Sequence, residues 1–307
     1  MVKECIILGA PVGTGAGQSG CQMGPEAYRT AGLQEGLEAL GISVTDQGDV
    51  TPVIGEVPVH DLPVKHLAEA IGWTNALERA AFEACGKGFP IFAGGDHSLA
   101  MGTVAGAARY AADQGRPFFL LWLDAHPDFH RLDTTSSGNI HGTPVAYVTG
   151  QPGFAPHFAP VAAPVAFENI CMMGIRSVDP AEHKALLERG VAVHDMRRLD
   201  ESGVVRPLTA FIERVEAAGG HLHVSLDVDF LDPSIAPGVG TTVPGGATFR
   251  EAHLIMEILH ESGLATSLDL VELNPFLDHA GQTARLMVDL TTSLMGKSVM
   301  DRVTRSF

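Results

Sequence analysis

The stretch that decides the fold is FFLLWLDAHPD, Phe118–Asp128. Its apolar first half predicts a β-strand, and the strand stops at an acidic cluster. If the extended backbone continues into that cluster, the two-residue period points Asp124, His126 and Asp128 to one side. A strand that ends in three potential metal ligands predicts a binding site at the carboxyl end of that strand.

Two other apolar runs end in clusters of the same kind. FPIFA (Phe89–Ala93) leads into Gly94-Gly95-Asp96-His97, and HVSL (His223–Leu226) leads into Asp227-Val228-Asp229. Ligands of an open parallel sheet bind outside the carboxyl ends of its strands, so the three clusters are expected to meet there. Two roles remain possible for Asp96: it could support the site, or it could cap the helix that follows it.

Composition and charge limit the partners of the chain. With 307 residues and 45% hydrophobic content, residues 1–307 are expected to form a single domain. The formal net charge of -16 argues against nucleic acid and against an anionic membrane surface, because both attract basic proteins. The same charge favours a small cationic substrate.

Cysteine usage and hydropathy indicate the compartment. Cys5, Cys21, Cys85 and Cys171 are dispersed without a Cys-x-x-Cys pair, so we expect neither a disulfide framework nor a thiolate zinc site. No stretch approaches the roughly 18 apolar residues of a membrane span. We therefore expect a cytoplasmic protein without a membrane partner.

Short strand-forming runs alternate with longer segments rich in Ala, Leu and Glu, a pattern typical of an α/β fold with a mostly parallel sheet. About eight strands are expected, near 4–9, 42–49, 89–93, 117–124, 168–174, 191–195, 221–229 and 265–272. Helices are expected near 25–40, 66–87, 98–115, 180–190, 203–219, 248–262 and 280–296.

The residue types in the three clusters favour a particular metal chemistry. Carboxylate oxygens combined with imidazole suit Mn²⁺, and the absence of thiolates argues against structural zinc. Four aspartates around one divalent cation would leave uncompensated negative charge, whereas two cations about 3.5–4 Å apart balance it and can share a water. The candidate ligands are His97, Asp124, His126, Asp128, Asp227 and Asp229.

The three clusters resemble the signature motifs of the ureohydrolase family. Ser136-Ser137-Gly138-Asn139-Ile140-His141-Gly142 is similar to the loop with which the arginases of that family hold the amino-acid end of their substrate. Similarity extends from Gly24-Pro25 through Gly174-Ile175-Arg176 to Glu272-x-Asn274-Pro275. The resemblance implies an arginase-like three-layer α/β/α sandwich.

The resemblance also implies roles for individual residues. The six candidate ligands would bind two manganese ions per subunit, with Asp124 and Asp227 bridging them. His141 would be the proton shuttle, and Glu272 would pair with the substrate guanidinium. The amino-acid end of the substrate would be read by His130, Ser137, Asn139, Asp179 and Glu182, with Thr241 lining the same cleft.

The reaction that the resemblance implies is hydrolysis of L-arginine to L-ornithine and urea by a metal-bridging hydroxide. A guanidinium has a pKa above about 12, so it arrives as a cation that carboxylates must hold. The departing amine needs a proton, which Asp128 or His141 could deliver. The similarity implies a homotrimer or a homohexamer.

Other readings remain open at this point. Many arginases carry Asn where this chain has His130. Thr143, in Gly142-Thr143-Pro144, resembles the residue that agmatinase-like enzymes carry after the His-Gly pair. Agmatine or 4-guanidinobutyrate is therefore an alternative substrate. A zinc deacetylase of the same fold would need one metal and not the second set of ligands. A non-catalytic homologue would retain the fold without turnover.

Overall fold

The computed structural model describes residues 2–301 and contains eight β-strands in one sheet. The strands are β1 (Glu4–Ala10), β2 (Ser43–Asp49), β3 (Phe89–Gly94), β4 (Phe118–Leu123), β5 (Ile170–Ile175), β6 (Ala192–Asp195), β7 (His221–Asp227) and β8 (Ala265–Val271). Their order is β2-β1-β3-β8-β7-β4-β5-β6, and every neighbouring pair is parallel. The predicted α/β fold with eight strands is confirmed.

Helices cover both faces of the sheet. They are α1 (Gly24–Thr30), α2 (Leu33–Glu38), α3 (Leu67–Cys85), α4 (Ala100–Asp113), α5 (Pro144–Val148), α6 (Pro180–Arg189), α7 (Met196–Ser202), α8 (Val205–Ala218), α9 (Phe249–Ser262) and α10 (Gln282–Leu294). Residues of α3, α4, α5 and α6 pack in the core of one face, and residues of the other helices pack in the core of the opposite face. None of the helices within residues 2–301 has the length and apolar character needed to cross a membrane.

The two-residue period of β4 divides its side chains between the two cores. Leu120 and Trp122 face the core beneath α4, whereas Leu121 and Leu123 face the core beneath α8 and α9. All six residues of β4 are buried, as expected for a central strand of a parallel sheet. β2 alternates exposed and half-buried residues, which is consistent with its place at the edge of the sheet.

One predicted helix differs from the structure. The segment expected to form one helix near 25–40 forms α1 and α2, because Gly32 adopts a left-handed conformation with φ of 89° that breaks the helical path. The short helices α5 and α7 lie outside the predicted set, since five and seven residues give too few turns for a clear 3.6-residue period. Boundaries of the other elements differ by a few residues.

The sheet order places the site. β3, β8, β7 and β4 are consecutive neighbours at the centre of the sheet, although they are far apart in sequence. The three clusters predicted as ligands follow β3, β4 and β7, and Glu272 follows β8. Because all four strands run in one direction, their carboxyl ends open onto the same edge of the sheet.

Candidate dinuclear metal centre and substrate cavity

A cavity of about 140 Å³ lies at this edge of the sheet. Nearly all of the residues that line it are polar or charged, so water and a charged substrate suit it better than an apolar ligand. The lining residues are His97, His126, Asp128, His130, His141, Gly142, Ser177, Asp179, Glu182, Asp227, Asp229, Thr241 and Glu272.

The six predicted ligands, His97, Asp124, His126, Asp128, Asp227 and Asp229, are termed the floor cluster. His97 Nδ1 lies 3.0 Å from Asp124 Oδ2 and 3.0 Å from Asp227 Oδ2. It also lies 3.3 Å from Asp128 Oδ2. One donor atom each of His97, Asp124 and Asp227 lies within 4.8 Å of the others, close enough to hold one ion.

A second group of donors shares Asp124 with the first. His126 Nδ1 lies 3.0 Å from Asp229 Oδ2 and 3.5 Å from Asp124 Oδ1, and the three donors again lie within 4.8 Å of one another. One carboxylate between two donor groups is the arrangement that bridges a pair of cations. Asp227 contributes to the first group only, so its bridging role stays a prediction.

The floor cluster fits divalent cations. Two of its atoms, His97 Nδ1 and Asp124 Oδ2, are buried 3.0 Å apart, and neither has a hydrogen-bond partner outside the floor cluster, although buried polar atoms are usually bonded to the surrounding protein. Carboxylate and imidazole donors without thiolates match the preferences of manganese better than those of structural zinc.

The charges of the floor cluster perturb its proton equilibria. Burial disfavours protonated His97, but the hydrogen bond and charge of Asp124 outweigh burial and raise its pKa to about 9. Burial also disfavours protonated His126, but its hydrogen bonds to Asp124 and Asp229 and their negative charges outweigh burial and raise its pKa to about 12. Burial and neighbouring carboxylates raise the pKa of Asp227 well above its ordinary value. Because metal ligands must be unprotonated, binding of cations at these residues would release protons.

Glu272 and His141 form a buried pair beside the floor cluster. Glu272 Oε1 lies 2.9 Å from His141 Nδ1 and accepts the backbone N–H of His97 at 2.7 Å. Burial opposes the charged form of both side chains, but the attraction between their opposite charges outweighs it. The pKa of Glu272 is therefore lowered, and the pKa of His141 is raised. The pair thus consists of a carboxylate and an imidazole that favours its protonated form.

The backbone is unusual at two of these residues. Asp128 and Glu272 have φ angles of 46° and 64°, in the left-handed region that non-glycine residues seldom occupy. Such conformations persist where the surrounding structure holds them in place, and they concentrate at functional sites. The backbone N–H of Glu272 is held by the carbonyl of Gly95 at 2.8 Å, which ties β8 to the cluster after β3.

A third group, termed the mouth cluster, consists of His130, Asp179 and Glu182. His130 Nε2 lies 3.1 Å from Asp179 Oδ2 and 3.5 Å from Glu182 Oε2. Asp179 caps α6, and Glu182 closes the capping box by accepting the N–H of Asp179. Glu182 also accepts the N–H of Phe129 at 2.9 Å. Most of the hydrogen-bonding capacity of Glu182 is therefore used within the protein, and Asp179, half exposed, is the acid that a ligand can reach.

The remaining predicted substrate residues divide into two kinds. Thr241 lines the cavity and donates its hydroxyl hydrogen to Asp229 Oδ2 at 3.0 Å. Ser137 and Asn139 lie on the neighbouring loop but are not among the residues that line the cavity. Ser137 Oγ accepts the N–H of Asn139, and Asn139 Oδ1 accepts from Lys65 Nζ at 3.2 Å.

Asp96 supports the site from behind. Its carboxylate accepts the N–H of Ser98, which caps the turn that carries His97. It also accepts the N–H of Gly15 at 2.8 Å, and the carbonyl of Gly15 accepts the N–H of His141 at 3.2 Å. Asp96 thus acts both as a cap and as a support, the two roles that the sequence left open.

Three neighbours of the site have no role in the sequence interpretation. Trp122 stacks on His97, Ser225 Oγ lies 2.8 Å from His97 Nε2, and Cys21 Sγ lies 3.6 Å from Glu272 Oε2. Strand parity could have identified the first two, because Trp122 shares its face of β4 with Asp124 and Ser225 shares its face of β7 with Asp227. Cys21 lies more than 200 positions from Glu272, and no local pattern connects them.

Comparison with known proteins identifies relatives along nearly the whole chain. The family model described as Arginase family matches residues 3–296. The arginase of Brucella melitensis is 60% identical over 305 residues, which are 99% of this chain and 100% of that protein. The arginase of Bacillus subtilis is 38% identical and covers 98% of this chain and 100% of its own length.

Solved structures give the same result. The arginase of Bacillus caldovelox matches with a TM-score of 0.87 at 37% identity, covering 98% of this chain and 100% of that chain. The formimidoylglutamase of Bacillus subtilis, at 19% identity with a TM-score of 0.75, shares the fold alone. The three-layer α/β/α architecture is therefore common to this chain and to these proteins.

Proposed function

This chain belongs to the arginase family and is an arginase-type hydrolase, and we propose that it converts L-arginine to L-ornithine and urea with two manganese ions per subunit. The observation that carries the proposal is the pair of donor groups that share Asp124, with the carboxylate of Glu272 lining the same cavity. This combination would suit two cations and a guanidinium.

The floor cluster would hold the two ions. His97, Asp124 and Asp227 would bind the first, Asp124, His126 and Asp229 would bind the second, and Asp128 lies within reach of the first group. When bound, the ions would lower the pKa of a shared water so that it can act as a nucleophile near neutral pH. Asp124 and Asp227 are proposed as the bridging carboxylates.

Glu272 and His141 would handle the guanidinium and its protons. Glu272 keeps its negative charge despite burial, so it can pair with a planar cation that enters the cavity. The pKa of His141 is raised despite burial because Glu272 stabilises the charged imidazole, which favours His141 as the proton donor that the departing amine needs. Asp128, which also lines the cavity, is the second candidate for that proton transfer.

The mouth cluster would read the amino-acid end of the substrate. A half-exposed carboxylate at Asp179 suits an α-ammonium group, and the imidazole of His130 can donate to an α-carboxylate. Glu182 would hold these two in place. Ser137 and Asn139 would contact the same end from the loop above, and Thr241 would contact it from the side of the floor cluster. A zwitterionic substrate has both groups that this end of the cavity complements, which favours L-arginine over agmatine and over 4-guanidinobutyrate.

The decisive experiment is a substrate panel. Purified protein loaded with Mn²⁺ is incubated with L-arginine, agmatine and 4-guanidinobutyrate, and the urea released is measured. We expect the highest kcat/KM with L-arginine. A higher value with agmatine would replace the proposed substrate, and a lack of urea with all three would refute the proposed reaction. Metal analysis that gives one zinc per chain would instead support a deacetylase-like enzyme.

Three further proposals concern the whole protein. We expect residues 1–307 to form one catalytic domain, since the strands join a single sheet. We place the protein in the cytoplasm, because all four of its cysteines are free thiols. A homotrimer or homohexamer is proposed by resemblance to the family, and sedimentation equilibrium would measure it directly.

A further inference from the structure

Trp122 contacts both histidines of the floor cluster, each in a different way. It is the fifth residue of β4, is fully buried, and faces the core beneath α4. Its ring stacks on the imidazole of His97 with a centroid distance of 4.0 Å and an interplanar angle of 4°. Its indole N–H donates to the backbone carbonyl of His126 at 3.2 Å.

These contacts constrain the histidines in complementary ways. The stack fixes the plane of the His97 ring, and Ser225 Oγ, 2.8 Å from Nε2, fixes its rotation within that plane. Nδ1 then faces Asp124 and Asp227. The hydrogen bond to the carbonyl of His126 holds the turn that follows β4, on which the second histidine is carried.

We propose that Trp122 is a positioning residue that the two metal sites share, with its ring orienting His97 and its indole N–H holding the peptide of His126. The inference rests on the proposed manganese binding, because His97 and His126 belong to different donor groups. One side chain would then couple the geometry of the first ion to that of the second. Trp122 touches no substrate in this scheme and acts through the histidines alone.

A purely structural role predicts something different. If Trp122 only fills the core, any change of its volume would lower the thermal stability and leave metal affinity untouched. If it positions the ligands, the effect on each site follows from the contact that is lost. Loss of a partner of a metal ligand typically costs about 10- to 100-fold in metal affinity.

The test uses two substitutions that separate the contacts. Trp122→Phe keeps an aromatic ring over His97 but removes the indole N–H, so we expect the site of His126 to weaken about tenfold and the site of His97 to change little. Trp122→Leu removes both contacts, and both sites should weaken. Ser225→Ala removes the partner of His97 Nε2 and should weaken the site of His97 alone. Affinities are measured by calorimetric titration of Mn²⁺ into metal-free enzyme.

Leu121 provides matched controls. It neighbours Trp122 on β4 and is equally buried, but it faces the opposite core. Leu121→Val and Leu121→Ala should lower the melting temperature while leaving both manganese affinities unchanged.

Fluorescence gives a second readout that does not depend on catalysis. The chain has two tryptophans, Trp73 and Trp122, so Trp73→Phe leaves Trp122 as the single tryptophan. Binding of paramagnetic Mn²⁺ beside it should quench its fluorescence over the concentration range found by calorimetry.

The outcomes separate this inference from the proposed function. Weakened manganese binding in the Trp122 variants, with normal binding in the Leu121 variants, supports it. Normal affinity in Trp122→Leu, or equal weakening in the Leu121 controls, overturns it while leaving the manganese enzyme intact. A wild-type protein that binds no Mn²⁺ overturns both.

Discussion

The floor cluster and the mouth cluster stand in the same cavity but are built in opposite ways. The floor residues lie at or just after the ends of central strands and converge on each other, and two of their buried atoms have no hydrogen-bond partner outside the cluster. The mouth residues lie on loops and at the start of α6, and their polar groups mostly satisfy one another. The floor is therefore arranged for ligands that the protein itself does not supply, whereas the mouth is nearly complete on its own.

This difference divides the proposed reaction between the two clusters. A rigid sheet edge suits cations and a reacting carbon, because chemistry depends on positions that are fixed closely. A pair such as His130 and Asp179, which bond to each other at 3.1 Å, suits recognition, because a ligand can replace the internal bond by bonds of its own. Changes at the floor should therefore abolish turnover, and changes at the mouth should alter the choice of substrate.

The largest effect is expected for Asp124→Asn. Asp124 is the one carboxylate common to both donor groups, so its loss disturbs both ions at once. Because metal ions contribute several kcal/mol to the stabilisation of such a transition state, we expect kcat/KM to fall about 10³-fold or more. Calorimetry should show weakened binding of two manganese ions. Asp133→Asn, on an exposed ion pair with Arg131, is the control, and equal effects of both would contradict the assignment.

Glu272→Gln should separate catalysis from metal binding. The amide keeps the shape of the side chain and can still accept the N–H of His97, but it loses the charge that would pair with the guanidinium. Loss of one partner from a buried ion pair costs about 3 kcal/mol or more, so we expect kcat/KM to fall at least about 10²-fold. Manganese affinity should stay within about threefold. Loss of manganese together with activity would make Glu272 part of the floor instead.

The sequence predicts the floor more completely than the mouth for physical reasons. Apolar runs identify the strands. The extended backbone expected to align Asp124, His126 and Asp128 does not continue, because β4 ends at Leu123 and Asp128 is left-handed with φ of 46°, so the turn after β4 brings these three side chains to the site. The adjacency of β3, β8, β7 and β4 is a non-local property, which the periodicity of the sequence does not determine. Positions at the mouth depend on loop conformation, as Asp179 illustrates: its direction is set by the capping box with Glu182. The sequence pattern does not predict the break between α1 and α2 at Gly32, because that break depends on one backbone angle.

The pH dependence of metal binding tests the electrostatics of the floor. The pKa of His97 is raised from 6.5 to about 9, so the metal-free protein holds this proton at neutral pH. Its contribution to stability is present below pH 6.5 and is lost as the pH rises through about 9. Manganese needs the unprotonated nitrogen, so its affinity should rise about tenfold per pH unit for each proton displaced, up to that pH.

Calorimetry in buffers of different ionisation enthalpy counts the protons released. The melting temperature should fall between pH 7 and pH 9 for the metal-free protein and rise for the manganese-loaded protein. A manganese affinity that does not change with pH would show that His97 binds no proton in the free enzyme.

His130→Ala should change the choice of substrate rather than the chemistry. The imidazole would donate to the α-carboxylate of L-arginine, and a hydrogen bond to a charged group contributes about 1.5 kcal/mol or more. We expect kcat/KM to fall about tenfold for L-arginine and to stay within about twofold for agmatine, which has no such carboxylate. His130→Asn, which restores a donor, should recover most of the loss. Equal losses for both substrates would mean that His130 only supports the loop.

The smallest effect is expected for a substitution of Ser137. It tests whether the loop above the mouth cluster contributes less to substrate binding than the mouth residues do. The hydroxyl of Ser137 accepts the N–H of Asn139 at 3.2 Å, and its side chain is exposed rather than part of the cavity lining. Because Ser137 would contribute at most one neutral hydrogen bond from an exposed loop, Ser137→Ala should lower kcat/KM for L-arginine less than about threefold, equivalent to the loss of less than one average hydrogen bond. A tenfold loss confined to L-arginine would instead show that the loop moves onto the substrate. Ser136→Ala, at the exposed neighbouring position, is the control. Ser136 has no proposed contact with the substrate, so this substitution should leave kcat/KM unchanged.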